Sequence, residues 1–69
     1  MKKTMKIEGM MCMHCSGRVQ RVLIALDGVE NAEVSHENGT AIVTLSVPIE
    51  DTVLKTTVES EGYTVLSVE

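Results

Sequence analysis

Gly9-Met10-Met11-Cys12-Met13-His14-Cys15-Ser16-Gly17-Arg18-Val19 contains both cysteines of the 69-residue chain, three of its five methionines and one of its two histidines. Gly9 closes an alternating run, and the apolar residues that begin at Val19 recur at helical steps. The sulfur-rich segment therefore reads as a loop between a strand and a helix. Two cysteines separated by two residues can aim both sulfurs at one point, and thiolates gathered there favour Cu(I) or the borderline Zn(II). A helix that opens at Cys15 sets this sulfur beside unpaired backbone N–H groups and the positive end of the helix dipole. Such a setting lowers a thiol pKa from ~8.5 into the range of about 3.5–7.5. The thiolate is the form that binds metal.

Other uses of the pair have physical meaning. C-x-x-C serves thiol–disulfide chemistry in thioredoxin-like proteins, but this chain is short for that fold and has neither Phe nor Trp. A structural zinc site closes with four ligands. The residues available are Cys12, Cys15, His14 and His36, whose spacing fits no common finger. A structural disulfide would close a very short loop and remove little unfolded-state entropy; formed under oxidation, it would abolish metal binding.

Around the cysteines, Met10 is expected beneath the loop as a packing residue, because a flexible thioether fills gaps well. Met11, Met13 and His14 lack periodic partners and are expected to be exposed. His14 can lend a nitrogen to a third coordination position, although plain exposure is the simpler reading.

Residues 4–8 alternate polar and apolar and predict a strand with Met5 and Ile7 inward. Residues 15–27 predict a helix whose stripe is Val19, Val22, Leu23 and Leu26, closed by Gly28 as a left-handed cap. Ala32, Val34 and His36 alternate on a second strand. Asn38-Gly39 then signals a hairpin, and residues 40–47 return with Ala41, Val43 and Leu45 on one face and Ile42 on the other. His36 is expected to be partly buried structure. Pro48 breaks the strand and is placed to start a helix over residues 49–61, with Ile49, Leu54 and Val58 inward and Glu50 and Asp51 in its first turn. Gly62 stops that helix. Tyr63, Val65 and Ser67 are expected on one face of a last strand.

The order is strand, helix, strand, strand, helix, strand. It specifies one α+β domain over residues 1–69 with a ferredoxin-like βαββαβ fold. Right-handed crossovers place both helices on one face of a four-stranded antiparallel sheet. The cysteine loop and the Gly62-Tyr63 turn then fall at the same end, where Tyr63 can shield the sulfurs or hydrogen-bond near them.

Composition narrows the function. The formal charge is −4, yet Lys2, Lys3, Lys6, Arg18 and Arg21 all lie in the first third, where Glu8 is the only acid. A positive rim at the metal end would steer an acidic partner, with Lys6, Arg18 and Arg21 as docking residues. Nucleic-acid binding is disfavoured by the acidic balance and the absence of stacking aromatics beyond Tyr63. No apolar run is long enough to insert in a membrane. The N-terminus has lysines without an apolar signal core, which predicts a cytoplasmic location where thiols stay reduced. No catalytic constellation exists beyond the thiols.

With these elements in place, the chain resembles the heavy-metal-associated domain family: small copper chaperones and the soluble metal-binding domains of copper-transporting P-type ATPases. The family motif Gly-Met-x-Cys-x-x-Cys stands here as Gly9-Met10-Met11-Cys12-Met13-His14-Cys15, with further matches at Val19, Leu23, Leu26, Gly28-Val29 and Gly62-Tyr63. The resemblance covers essentially the whole chain. It implies that Cys12 and Cys15 bind one Cu(I) per monomer and that Met10 is a buried support. Zinc and cadmium members often carry Asp before the first cysteine. Met11 stands there instead and points to the soft monovalent ion, with Zn(II), Hg(II) or Ag(I) as ions the thiols can accept in vitro. Tyr63 resembles bacterial copper members. Mercury-binding periplasmic relatives share the motif but are exported. Met11 and His36 depart from the pattern, where Ser or Thr and an aliphatic residue are more usual. The implied role is a carrier that hands copper by thiolate exchange to a copper-transporting P-type ATPase or its metal-binding domain. The alternative is a terminal regulatory domain of such an ATPase. A metal-bridged homodimer through facing cysteine pairs is a further implied assembly.

Overall fold

The computed structural model describes residues 1–11 and 13–69. Its elements are β1 (Lys2–Glu8), α1 (Met13–Ile24), β2 (Val29–Ser35), β3 (Thr40–Leu45), α2 (Asp51–Glu59) and β4 (Thr64–Val68). The strands form one antiparallel sheet in the order β2-β3-β1-β4. α1 packs on β2, α2 packs on β4, and the helices touch each other. This is the ferredoxin-like arrangement expected from the sequence. Strand alternation aims Met5 and Ile7 of β1 and Ala41, Val43 and Leu45 of β3 at the helices. They meet Val19 and Leu23 of α1 and Leu54 and Val58 of α2 in a wholly aliphatic and thioether core.

Several boundaries differ from the sequence reading, each for a local reason. α1 begins at Met13, two residues before the expected start, and ends at Ile24 rather than at residue 27. Beyond it, Leu26 N–H bonds to Leu23 O at 3.1 Å and Val29 N–H to Leu26 O at 3.2 Å. These three-residue closures tighten the chain so that Leu26 still reaches the core, and Gly28 turns it at φ 97°. α2 starts at Asp51, so Pro48 does not open it and Glu50 is the residue before its first turn. The segment stays extended there because Ile49 is needed against the core; its Cδ1 lies 3.2 Å from where a Gly28 Cβ would stand. β3 stops at Leu45, after which Ser46 N–H turns to Gly28 O at 2.7 Å.

β4 carries an irregularity the alternation did not reveal. Ile7 pairs with Val65 but Lys6 pairs with Ser67, so Leu66 is the extra residue of a bulge. The bulge reverses the facing of the residues beyond it. Val68, opposite Met5, packs against the core, and Ser67 does not continue the Tyr63–Val65 face. His36 is also displaced from its expected strand position; it is the first residue of the turn 36–39 and is half-buried.

Three connections gather at one end of the sheet: the loop after β1, the turn 36–39 and the turn before β4. Ile7 N–H bonds to Gly39 O at 2.7 Å, and Glu8 pairs with Thr64. That convergence builds the site.

Candidate metal site

Cys15 is half-buried in the first turn of α1. It does not open the helix, yet it remains within the turn whose backbone N–H groups have no intrahelical acceptor. Cys12 lies outside the described residues. Ser16, next to Cys15, is buried and donates its hydroxyl to Met13 O at 3.0 Å, which fixes the first turn from inside. The sequence reading missed Ser16. Its only signal was a hydroxyl residue placed to bond a carbonyl three residues back.

Met10 is 7 % exposed and joins the core cluster beneath the loop. Met11 and Met13 are 84 % and 75 % exposed, and His14 is exposed as well. The methionines around the cysteines thus divide into one that anchors the loop and two that face solvent.

Tyr63 arrives from the opposite end of the chain. Its ring lies against Gly9, where a Cβ would stand 3.5 Å from Cδ1. Gly9 adopts φ 102°, a region that L side chains rarely enter. The Tyr63 hydroxyl is hydrogen-bonded to the Cys15 side chain. That bond is the largest reason its pKa rises above 10.0, followed by burial and the negative charge of Cys15; the Arg18 guanidinium pulls it down and Glu61 pushes it up. A phenol held in its neutral form donates to sulfur, and a thiolate is the better acceptor.

The cationic residues are distributed differently from the expected rim. Lys2 and Lys3 belong to the other end of β1, and Lys3 is engaged with Asp51 at the start of α2. Lys6 faces away from the helices, between Thr40 and Ser67. Arg18 and Arg21 instead line a surface hollow of about 240 Å³ with Met13, His14 and Gly17. Alternation explains the split, since residues flanking Met5 and Ile7 must point to the open face of the sheet.

Among the described residues, no group of three or more His, Cys, Asp or Glu is arranged to hold a metal ion. The heavy-metal-associated domain pattern matches residues 4–64.

The chain belongs to the heavy-metal-associated domain family.

Similarity within the family runs along the whole domain. The copper chaperone CopZ of Staphylococcus aureus is 36% identical over 70 residues, covering 94% of this chain and 97% of the relative. The mercuric reductase of Shewanella putrefaciens is 39% identical over 59 residues, covering 86% of this chain, but the match spans only 11% of that protein's length. A copper-binding domain from HMA7, a P-type ATPase, superposes with a TM-score of 0.87 at 28% identity, covering 100% of this chain and 99% of that one. No helix of this heavy-metal-associated domain, among the described residues, is long and apolar enough to cross a membrane.

Proposed function

We propose that the chain is a cytoplasmic Cu(I) carrier that holds one ion between Cys12 and Cys15 and passes it to a copper-transporting P-type ATPase or its metal-binding domain. The observation that carries this reading is the setting of Cys15. It is half-buried in the first turn of α1, hydrogen-bonded by Tyr63, and seated at the end where three loops meet the surface. A soft thiolate pair in that setting suits a soft monovalent ion. The partial exposure leaves an approach for another sulfur.

Transfer then proceeds by ligand exchange. An incoming thiolate of the partner forms a third S–Cu(I) bond. One bond to this chain breaks, and the departing sulfur leaves as the thiolate, so that charge and protons balance against the incoming one. A second partner thiolate then replaces the remaining one. The coordination number changes by one at each step, and no electron is transferred. Arg18 and Arg21 favour approach of an acidic partner face, with Lys6 acting from the sheet side. Met11 and His14 are exposed donors available for transient contact with the ion. The similarity to the copper chaperone CopZ supports the carrier reading. The likeness to an ATPase copper-binding domain supports the second reading, a regulatory domain of the transporter itself. Facing cysteine pairs also permit a metal-bridged homodimer.

The test is an anaerobic competition titration with Cu(I), Zn(II) and Hg(II), the last included because of the mercuric reductase relative. One Cu(I) per monomer is expected, bound in preference to Zn(II), with affinity lost in Cys12→Ser and Cys15→Ser. A Cys12→Ser chain that retained full Cu(I) affinity would overturn the assignment. Transfer to a purified ATPase domain separates the carrier from the regulatory reading.

A further inference from the structure

The sheet has two outermost strands. In the order β2-β3-β1-β4, β2 and β4 each pair on one side only. An outermost strand offers unpaired N–H and C=O groups to any strand that approaches. In each half of the chain the helix sends a side chain to the strand that follows it. Gln20 of α1 donates from Nε2 to Ala32 O of β2 at 2.8 Å. Glu59, the last residue of α2, accepts from Val65 N–H of β4 at 3.5 Å. Val65 N–H turns outward for a reason of register. It stands opposite Ile7, whose own N–H goes to Gly39 O on the β3 side, so Ile7 and Val65 exchange no bond. Each outer strand also carries a bulge, at Glu30 in β2 and at Leu66 in β4. A bulge interrupts the ladder and bends the strand. The two edges differ in charge. β2 has exposed Glu30 and Glu33. β4, Thr64–Val68, has no charged residue and no Pro, and its Leu66 is 60 % exposed. A surface hollow of about 210 Å³, lined in part by Thr52, Lys55, Val65 and Leu66, lies between α2 and this strand.

We propose that Glu59 guards the free edge of β4 and keeps the domain from adding the β4 strand of a second copy, with Gln20 doing the same for β2. The Glu59 carboxylate occupies the outward Val65 N–H. It also sets a negative charge where the carbonyl oxygen of an incoming strand would have to lie. The residue does not serve its own helix, because a carboxylate in the last turn opposes the helix dipole and α2 has no base there to offset it. A second copy is the occupant that suits the bare edge. Thr64–Val68 is neutral and rich in β-branched side chains, so two such strands running antiparallel meet no like charge. The same segment then serves both sides of a two-fold pair. β2 depends less on its guard, since Glu30 and Glu33 already repel a second β2. The guard involves neither the cysteines nor a metal, so it stands apart from the copper reading.

Amide hydrogen exchange and sedimentation velocity of the reduced, chelator-treated protein test this. In the wild type the Val65 amide is expected to be protected. In Glu59→Ala, held dilute and shown to be folded by circular dichroism, its exchange should quicken about two- to ten-fold, as the loss of one hydrogen bond requires. On concentration that variant should associate where the wild type does not, and the β4 amides should then regain protection. Adding Leu66→Lys, which sets a charge on the bare edge, should restore the monomer. Glu37→Ala removes an equal charge from the exposed turn 36–39 and should behave as the wild type. A folded Glu59→Ala chain that associates no more than the wild type up to millimolar concentration would overturn the proposal. So would a wild-type Val65 amide that exchanges as freely as an exposed one, an assembly that survives Leu66→Lys, or equal association of Glu37→Ala.

Discussion

Tyr63 hydrogen-bonds the side chain of Cys15 while its ring packs against Gly9. The turn before the last strand therefore braces the loop on both sides. Replacing Tyr63 by Phe keeps the ring and removes the bond. One hydrogen bond contributes about 0.5–1.5 kcal/mol, or roughly two- to ten-fold in a rate or equilibrium. Cu(I) release to a chelator, followed by stopped flow, should quicken by that factor with little change in thermal stability. Unchanged release would mean that ring packing alone holds the loop.

The same contact has a pH signature. In the metal-free protein the Tyr63 phenol should ionise above 10.0, chiefly because of its bond to Cys15. A raised pKa means that the folded state holds this proton more tightly than the unfolded chain does. The stabilisation is therefore complete below the ordinary value of about 10 and is lost as pH climbs through the folded value. Phenolate absorbance during a pH titration reads the shift directly. Cys15→Ser should return it most of the way to the ordinary value.

Two glycines should respond to alanine with opposite signs. Gly17 lies within α1, with nothing within 4 Å of an added Cβ. Gly17→Ala is expected to stabilise the domain by about 0.5–1 kcal/mol through helix propensity. Gly28 sits at φ 97°, and its Cβ would come within 2.6 Å of a Val47 methyl. Gly28→Ala should cost about 1–3 kcal/mol, mostly as backbone strain because exposed Val47 can yield. Urea denaturation of the two variants beside the wild type decides the sign.

The methionines offer a third contrast. Met10→Ala empties a core position and should lower stability by about 2–5 kcal/mol. Met11→Ala and Met13→Ala remove exposed side chains and should stay within about 0.5 kcal/mol of wild type. If either exposed thioether contacts the ion in transit, its loss changes exchange rates without changing the denaturation midpoint.

Much of the architecture was legible because its signals are local. Met5 and Ile7 alternate against Lys6 and Glu8, Val19 and Leu23 fall one helical turn apart, and Gly28 and Gly62 mark turns that do adopt positive φ. The spacing of Cys12 and Cys15 is a property of the chain alone. The errors arose where a distant element overrode the local pattern. α1 ends early because Leu26 must turn to the core, and α2 starts late because Ile49 is drawn against Gly28. The Leu66 bulge depends on how β4 pairs with β1, which no periodicity within β4 records.

The sequence by itself determined the order of elements, the aliphatic faces that close the core and the two-residue spacing of its cysteine pair. These follow from the side-chain periods of strands and helices and from the chemistry of sulfur. The sequence placed Tyr63 near the sulfurs; only the tertiary structure decided that Cys15 is a sulfur it meets, that Gly9 lies against its ring, and that the basic residues divide between α1 and the open face of the sheet. Those relations join residues far apart in the chain, and they exist only once the crossovers have brought three loops to one end.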